Sequence, residues 1–144
     1  GIMNKDKLTE LYHKYKLSKE DFFKHQHYTI ITRTGVEKIE AQENIKINYE
    51  SIKSEPNFAV IQAFGELNER KMETFGSALK GDNYKDGNCN SWYVTEMAEK
   101  RAFSRIVLKL TGFYALGVFG EDESESFKKK TSKEELINKI KSNG

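Results

Sequence analysis

The spacing of apolar and polar positions changes character along this chain, and the changes mark its elements. Residues 5–15 read as a short helix with Asn4 as a candidate N-cap. A second short helix is expected after Ser18, where Ser18, Lys19, Glu20 and Asp21 resemble a capping box and Phe22 and Phe23 supply apolar anchors. From His27 the period drops to two. His27–Arg33 is rich in strand formers, and Thr34-Gly35 is a turn signal. Over 44–52, Ile45, Ile47 and Tyr49 alternate with Asn44, Lys46, Asn48 and Glu50, the pattern of a strand with one wet face. The only proline, in Glu55-Pro56-Asn57, breaks it. Phe58–Leu67 is apolar on both faces, as a central strand would be, and Asn68-Glu69-Arg70 turns the chain into a further strand at 71–75. Strands joined by such short turns predict an antiparallel meander.

Residues 76–90 are crowded with Gly, Asp and Asn and read as a loop. A long amphipathic helix is expected from Trp92 to Leu110, capped by Asn90 or Ser91 and ended by Gly112. Phe113–Phe119 suits a short strand and 121–131 a solvated linker. Residues 132–141 suit a short helix with Leu136, Ile137 and Ile140 as its apolar stripe. The fold class predicted is α+β: a meander of three to four antiparallel strands with one long helix packed on it, and short N-terminal helices. One domain over 1–122 and a charged tail over 123–144 are expected.

Composition narrows the setting. A chain of 144 residues, 37% of them hydrophobic, can bury a core as one domain. A lone cysteine, Cys89, forms no disulfide within the chain. No apolar run approaches the roughly 20 residues that span a bilayer, and GIMNKDKLTE has no leader-like apolar stretch. A cytoplasmic protein with no membrane partner is the expectation. The net charge of +2 is unevenly spread: 1–90 is neutral, 91–111 and 127–144 are basic, and 112–126 is acidic.

The long helix draws attention because Arg101, Arg105 and Lys109 recur every fourth residue, opposite an apolar arc that includes Ala102, Ile106 and Leu110. A row of cations facing outward suits phosphates, which guanidinium groups bind through paired hydrogen bonds. Lys100 adds charge to the same helix, although Glu96–Lys100 also forms an ordinary i, i+4 pair. Trp92 and Tyr93 stand at the start of the helix. Unpaired bases stack on such rings while cations follow the backbone. Arg33 and Lys46 are further candidates on the opposite wall of a groove. Each of these also has an ordinary reading, as a solvated charge or a packing ring. Enzymatic signals are thin: His25 and His27 lack companion metal ligands, Cys89 has no nearby base, and the glycines after the helix do not form a phosphate loop. No catalytic site, metal or cofactor is expected.

The stretch Met97-Ala98-Glu99-Lys100-Arg101-Ala102-Phe103-Ser104-Arg105-Ile106-Val107-Leu108-Lys109-Leu110-Thr111-Gly112 resembles the signature helix of the single-strand annealing superfamily. That group includes phage recombinases of the Sak and Erf types and the eukaryotic annealing mediator of double-strand break repair. The apolar Phe113–Gly120, the acidic Glu121-Asp122-Glu123 and the earlier Glu73-Thr74-Phe75-Gly76 extend the likeness, which covers about residues 27–123. The resemblance implies a β-meander followed by this helix, single-stranded DNA as partner, and a homo-oligomeric ring or filament that presents the strand for annealing in phage-type recombination without catalysis. It places Arg101, Arg105 and Lys109 near the DNA backbone, with Arg33 and Lys46 across the groove. The other reading is a protein–protein adaptor or phage accessory protein whose basic helix meets an acidic partner.

Overall fold

The structure is a computed structural model, and it describes residues 2–83 and 86–123. Helix α1 spans Ile2–Lys14. A 3-10 turn at Lys19–Asp21 leads into β1 (Phe22–His25), which folds back as β2 (Tyr28–Ile31). Helix α2 (Arg33–Glu43) precedes three long strands: β3 (Lys46–Glu55), β4 (Phe58–Leu67) and β5 (Arg70–Leu79). Helix α3 (Val94–Thr111) and β6 (Val118–Gly120) follow. The three long strands form an antiparallel meander with β4 in the middle, and β1, β2 and β6 form a second sheet in which β6 runs parallel to β2. The predicted α+β class, with a meander and one long helix packed on it, is the observed architecture.

The core lies between the meander and α3. Ala59, Ile61 and Ala63 of β4 are buried against Ala98, Ala102, Ile106 and Leu110. Each large aliphatic side chain so buried contributes roughly 1.5–3 kcal/mol. Small residues set how close the layers come. A Cβ at Gly76 would lie 2.2 Å from the Ala98 carbonyl oxygen and 2.4 Å from the Ala102 nitrogen. Gly76 is therefore not a turn residue, and β5 runs four residues past the predicted end of its strand. At its other end α3 stops at Gly112, which takes the left-handed conformation expected of a glycine C-cap (φ 90°).

Four local expectations are corrected. The capping box after Ser18 forms, with the Ser18 N–H donating to Asp21 Oδ2 at 2.8 Å, but it caps only one turn. Phe22 and Phe23 are extended because they pair with Ile31 and Ile30 in the hairpin. Thr34-Gly35 is not a turn but the first turn of α2. Thr32 caps it by accepting the Gly35 N–H at 3.1 Å, and Val36 and Ile39 bury the face that holds it down. The N-cap of α3 is Tyr93, with Ser91 Oγ accepting the Tyr93 N–H one step earlier at 3.1 Å. Finally, the wet-face pattern of 44–52 holds only in part: Ile45 is buried, but every residue of β3 except Ile47 is exposed. The predicted helix at 132–141 and almost all of the predicted tail lie outside the described residues.

Candidate nucleic-acid interface

The cation row of α3 does not face outward, which corrects the reading of that helix. Arg101 is 4% exposed. Its guanidinium donates to the carbonyls of Ser77 (2.8 Å), Asn88 (2.7 Å) and Asp122 (3.1 Å). Arg105 donates to the Phe75 carbonyl at 2.8 Å, and Lys109 Nζ lies 3.2 Å from Thr74 Oγ1 and over the Tyr114 ring. The reason lies in β5. It is an edge strand, and its outward carbonyls need donors. Arg101 and Arg105 supply them at Ser77 and Phe75. Asn88 and Cys89 complete the cover at Leu79, whose N–H donates to Asn88 Oδ1 and whose carbonyl accepts from both their N–H groups. Spacing of i and i+4 along the helix matches the two-residue step between outward carbonyls of the strand.

The acidic segment after β6 closes the same region, so the expected solvated linker is not what its first residues form. Glu123 is 5% exposed and pairs with Arg105, with Nε 2.6 Å from Oε1. Asp122 accepts from Ser104 Oγ at 3.0 Å and faces Arg33 at 3.6 Å, and Glu121 accepts the Arg33 N–H at 2.6 Å. Burial pushes the Glu123 carboxyl up, and the attraction of Arg105, Arg101 and Lys109 recovers only part of that shift. A cavity of about 290 Å³ beside Arg101 and Arg105 thus already holds the chain's own carboxylate.

The other candidate residues scatter. Arg33 begins α2 and joins the acidic cluster, with Glu37 as a second partner at 3.0 Å. Lys46 lies exposed on β3 and Lys100 exposed on α3. Trp92 and Tyr93 are 68% and 72% exposed, and Lys80 Nζ sits 4.9 Å from the centre of the Trp92 ring. Among the described residues no bond or ring contact ties Lys46, Trp92 or Tyr93 to the arginine cluster.

A different surface gathers uncommitted cations. Helix α1, the 3-10 turn and the β1–β2 hairpin enclose a cleft of about 820 Å³. Lys5, Lys19, Lys24, His13 and His27 line it, together with Tyr12, Phe22 and Phe23, and among the described residues no carboxylate does. All five basic side chains are exposed, and no ion pair among the described residues reaches the three lysines. Lys24 Nζ lies 2.7 Å from Thr29 Oγ1, which holds it at the cleft wall. The floor is fixed from below: the rings of Tyr12 and Phe22 meet at 4.2 Å, and Tyr12 stacks toward Phe113 at 6.3 Å. The neighbouring Asp21 faces Lys38 instead, at 2.9 Å. Burial alone would push its carboxyl up, but the Ser18 N–H and Lys38 outweigh that and hold it below its ordinary value.

Sequence reasoning overlooked this surface because residues 1–90 are neutral as a whole. Residues 1–27 contain six lysines, four acidic residues and all three histidines, and the acidic stretch that follows cancels them. A finer charge window finds the excess, although only the fold shows that it shares a cleft with aromatic rings. Comparison of the chain with protein-family models, curated proteins and solved structures finds no match.

Proposed function

We propose that this protein binds single-stranded nucleic acid and acts as an annealing module, holding a strand for pairing without breaking or making covalent bonds. The observation that carries the reading is the cleft between α1 and the β1–β2 hairpin, where three lysines and two histidines stand beside aromatic rings with no carboxylate from the described residues among them. Phosphates of a strand meet the lysines and release counterions. Bases meet Tyr12, Phe22 and the partly exposed Phe23, whose π-faces accept any base. The likeness of the α3 region to annealing proteins supports the same class. The placement of the contact differs from the one that likeness implies, because Arg101 and Arg105 serve the chain's own carbonyls and carboxylates. Presentation of the strand by more than one copy belongs to this reading.

The experiment is an annealing assay. Two complementary labelled oligonucleotides are mixed with and without the protein at low and at roughly physiological salt. Faster pairing that weakens as salt rises is the expected result. No acceleration, together with no shift of a single-strand probe at low salt, overturns the proposal.

A further inference from the structure

The two edges of the meander are treated differently. The β5 edge is closed by Arg101, Arg105 and the Asn88–Cys89 segment. The β3 edge has no hydrogen-bonding partner among the described residues, and all of it except Ile47 is exposed. An open edge of ten residues is a template for another strand.

Hydrogen-bond alternation identifies which groups it offers. The carbonyls of Phe75, Ser77 and Leu79 point away from β4. Their partners across the ladder, Gln62 and Val60 among them, therefore turn their own groups toward β3. Gln62 stands opposite Glu50, and Phe64 opposite Asn48, so Asn48 and Glu50 bond inward. Ile47 and Tyr49 are left facing out.

We propose that β3 pairs antiparallel with β3 of a second copy of this chain, about a two-fold axis at Asn48. The run Lys46-Ile47-Asn48-Tyr49-Glu50 is complementary to itself in that register. Ile47 lies opposite the other copy's Tyr49, each such pair exchanging both N–H···O bonds. Lys46 lies opposite Glu50, and Asn48 opposite Asn48. Neither Lys46 nor Glu50 has an ion-pair partner among the described residues, whereas Lys53 and Glu55 near the hairpin bridge each other at 3.6 Å. The shift in register between Ser51 and Lys53 ends the regular pairing edge there. The two meanders become one continuous sheet with its outer edges capped by the two α3 helices, which makes a closed dimer (an isologous contact). The interface is independent of whether the cleft binds nucleic acid.

The test is the mass of the full chain in solution by sedimentation at several concentrations. The wild type runs as two chains. K46E puts like charges opposite each other at both ends and weakens the dimer roughly tenfold or more, and K46E/E50K restores it. Tyr49→Pro removes an outward N–H without touching the ladder to β4, so the variant folds and runs as one chain. A wild type that is one chain at every concentration overturns the proposal. So does an oligomer of any size that K46E and Tyr49→Pro leave unchanged.

Discussion

The α3 row and the α1–hairpin cleft are both built from basic side chains, yet the first is turned in on the chain itself and the second lines an open cleft. Arg101 and Arg105 face the unpaired carbonyls of an edge strand and a returning acidic segment, and they are spent on both. Lys5, Lys19 and Lys24 face a cleft with aromatic walls and, among the described residues, no acid. A basic stripe on a helix therefore says little about binding until the neighbouring strand's free backbone groups have been counted. Guanidinium, with its fixed fork of donors, is well suited to satisfying such carbonyls, and lysine on a flexible stem is well suited to staying hydrated at a surface.

The largest effect is expected at Arg101. Arg101→Ala strips donors from three buried or part-buried carbonyls and uncovers the β5 edge. A loss of about 3 kcal/mol or more in urea unfolding is expected, with nucleic-acid affinity per folded molecule unchanged. Gly76→Ala tests the closeness of the same edge to α3. Its methyl has no space between Ala98 and Ala102, and about 2–3 kcal/mol should be lost, again seen in urea unfolding.

Asp21→Asn probes the other region's frame, and about 1 kcal/mol is expected from the weakened cap and the lost Lys38 pair. The folded carboxyl is held below its ordinary value, so its stabilisation is full above the ordinary carboxylate range and disappears as pH falls through the depressed value. Thermal melts of wild type and variant should therefore converge in acid. The smallest effect on stability belongs to the cleft lysines. Lys5, Lys19 and Lys24 replaced together by Gln should change unfolding by no more than about 0.5 kcal/mol, because all three are exposed.

Much of the fold was legible. Alternation over 44–52, apolarity on both faces of 58–67 and the glycine after Thr111 marked the meander and the end of α3, because these patterns are local consequences of strand and helix geometry. Helix α2 was hidden because Thr34-Gly35 looks like a turn, and only burial of Val36 and Ile39 makes it a helix. The hairpin at Phe22 was hidden for the mirror-image reason: a genuine capping box precedes a strand held by pairing. The orientation of α3 was half legible. Its apolar arc was read correctly, but Arg101 faces in because Ser77, Asn88 and Asp122 converge on it from three separate segments, and no spacing along one helix reports that. The cleft was invisible as a site because its cations come from α1, a single turn and a hairpin.

The salt dependence of single-strand binding separates the two surfaces when measured for wild type, the triple Lys5, Lys19 and Lys24 to Gln variant, and Arg105→Gln. With three lysine contacts, the slope of log affinity against log salt should be shallower by about 2 in the triple variant, with affinity at low salt down roughly tenfold or more. Arg105→Gln should keep both the affinity and the slope of wild type. If the triple variant binds like wild type while Arg105→Gln loses affinity and slope, the contact lies on α3 and not in the cleft.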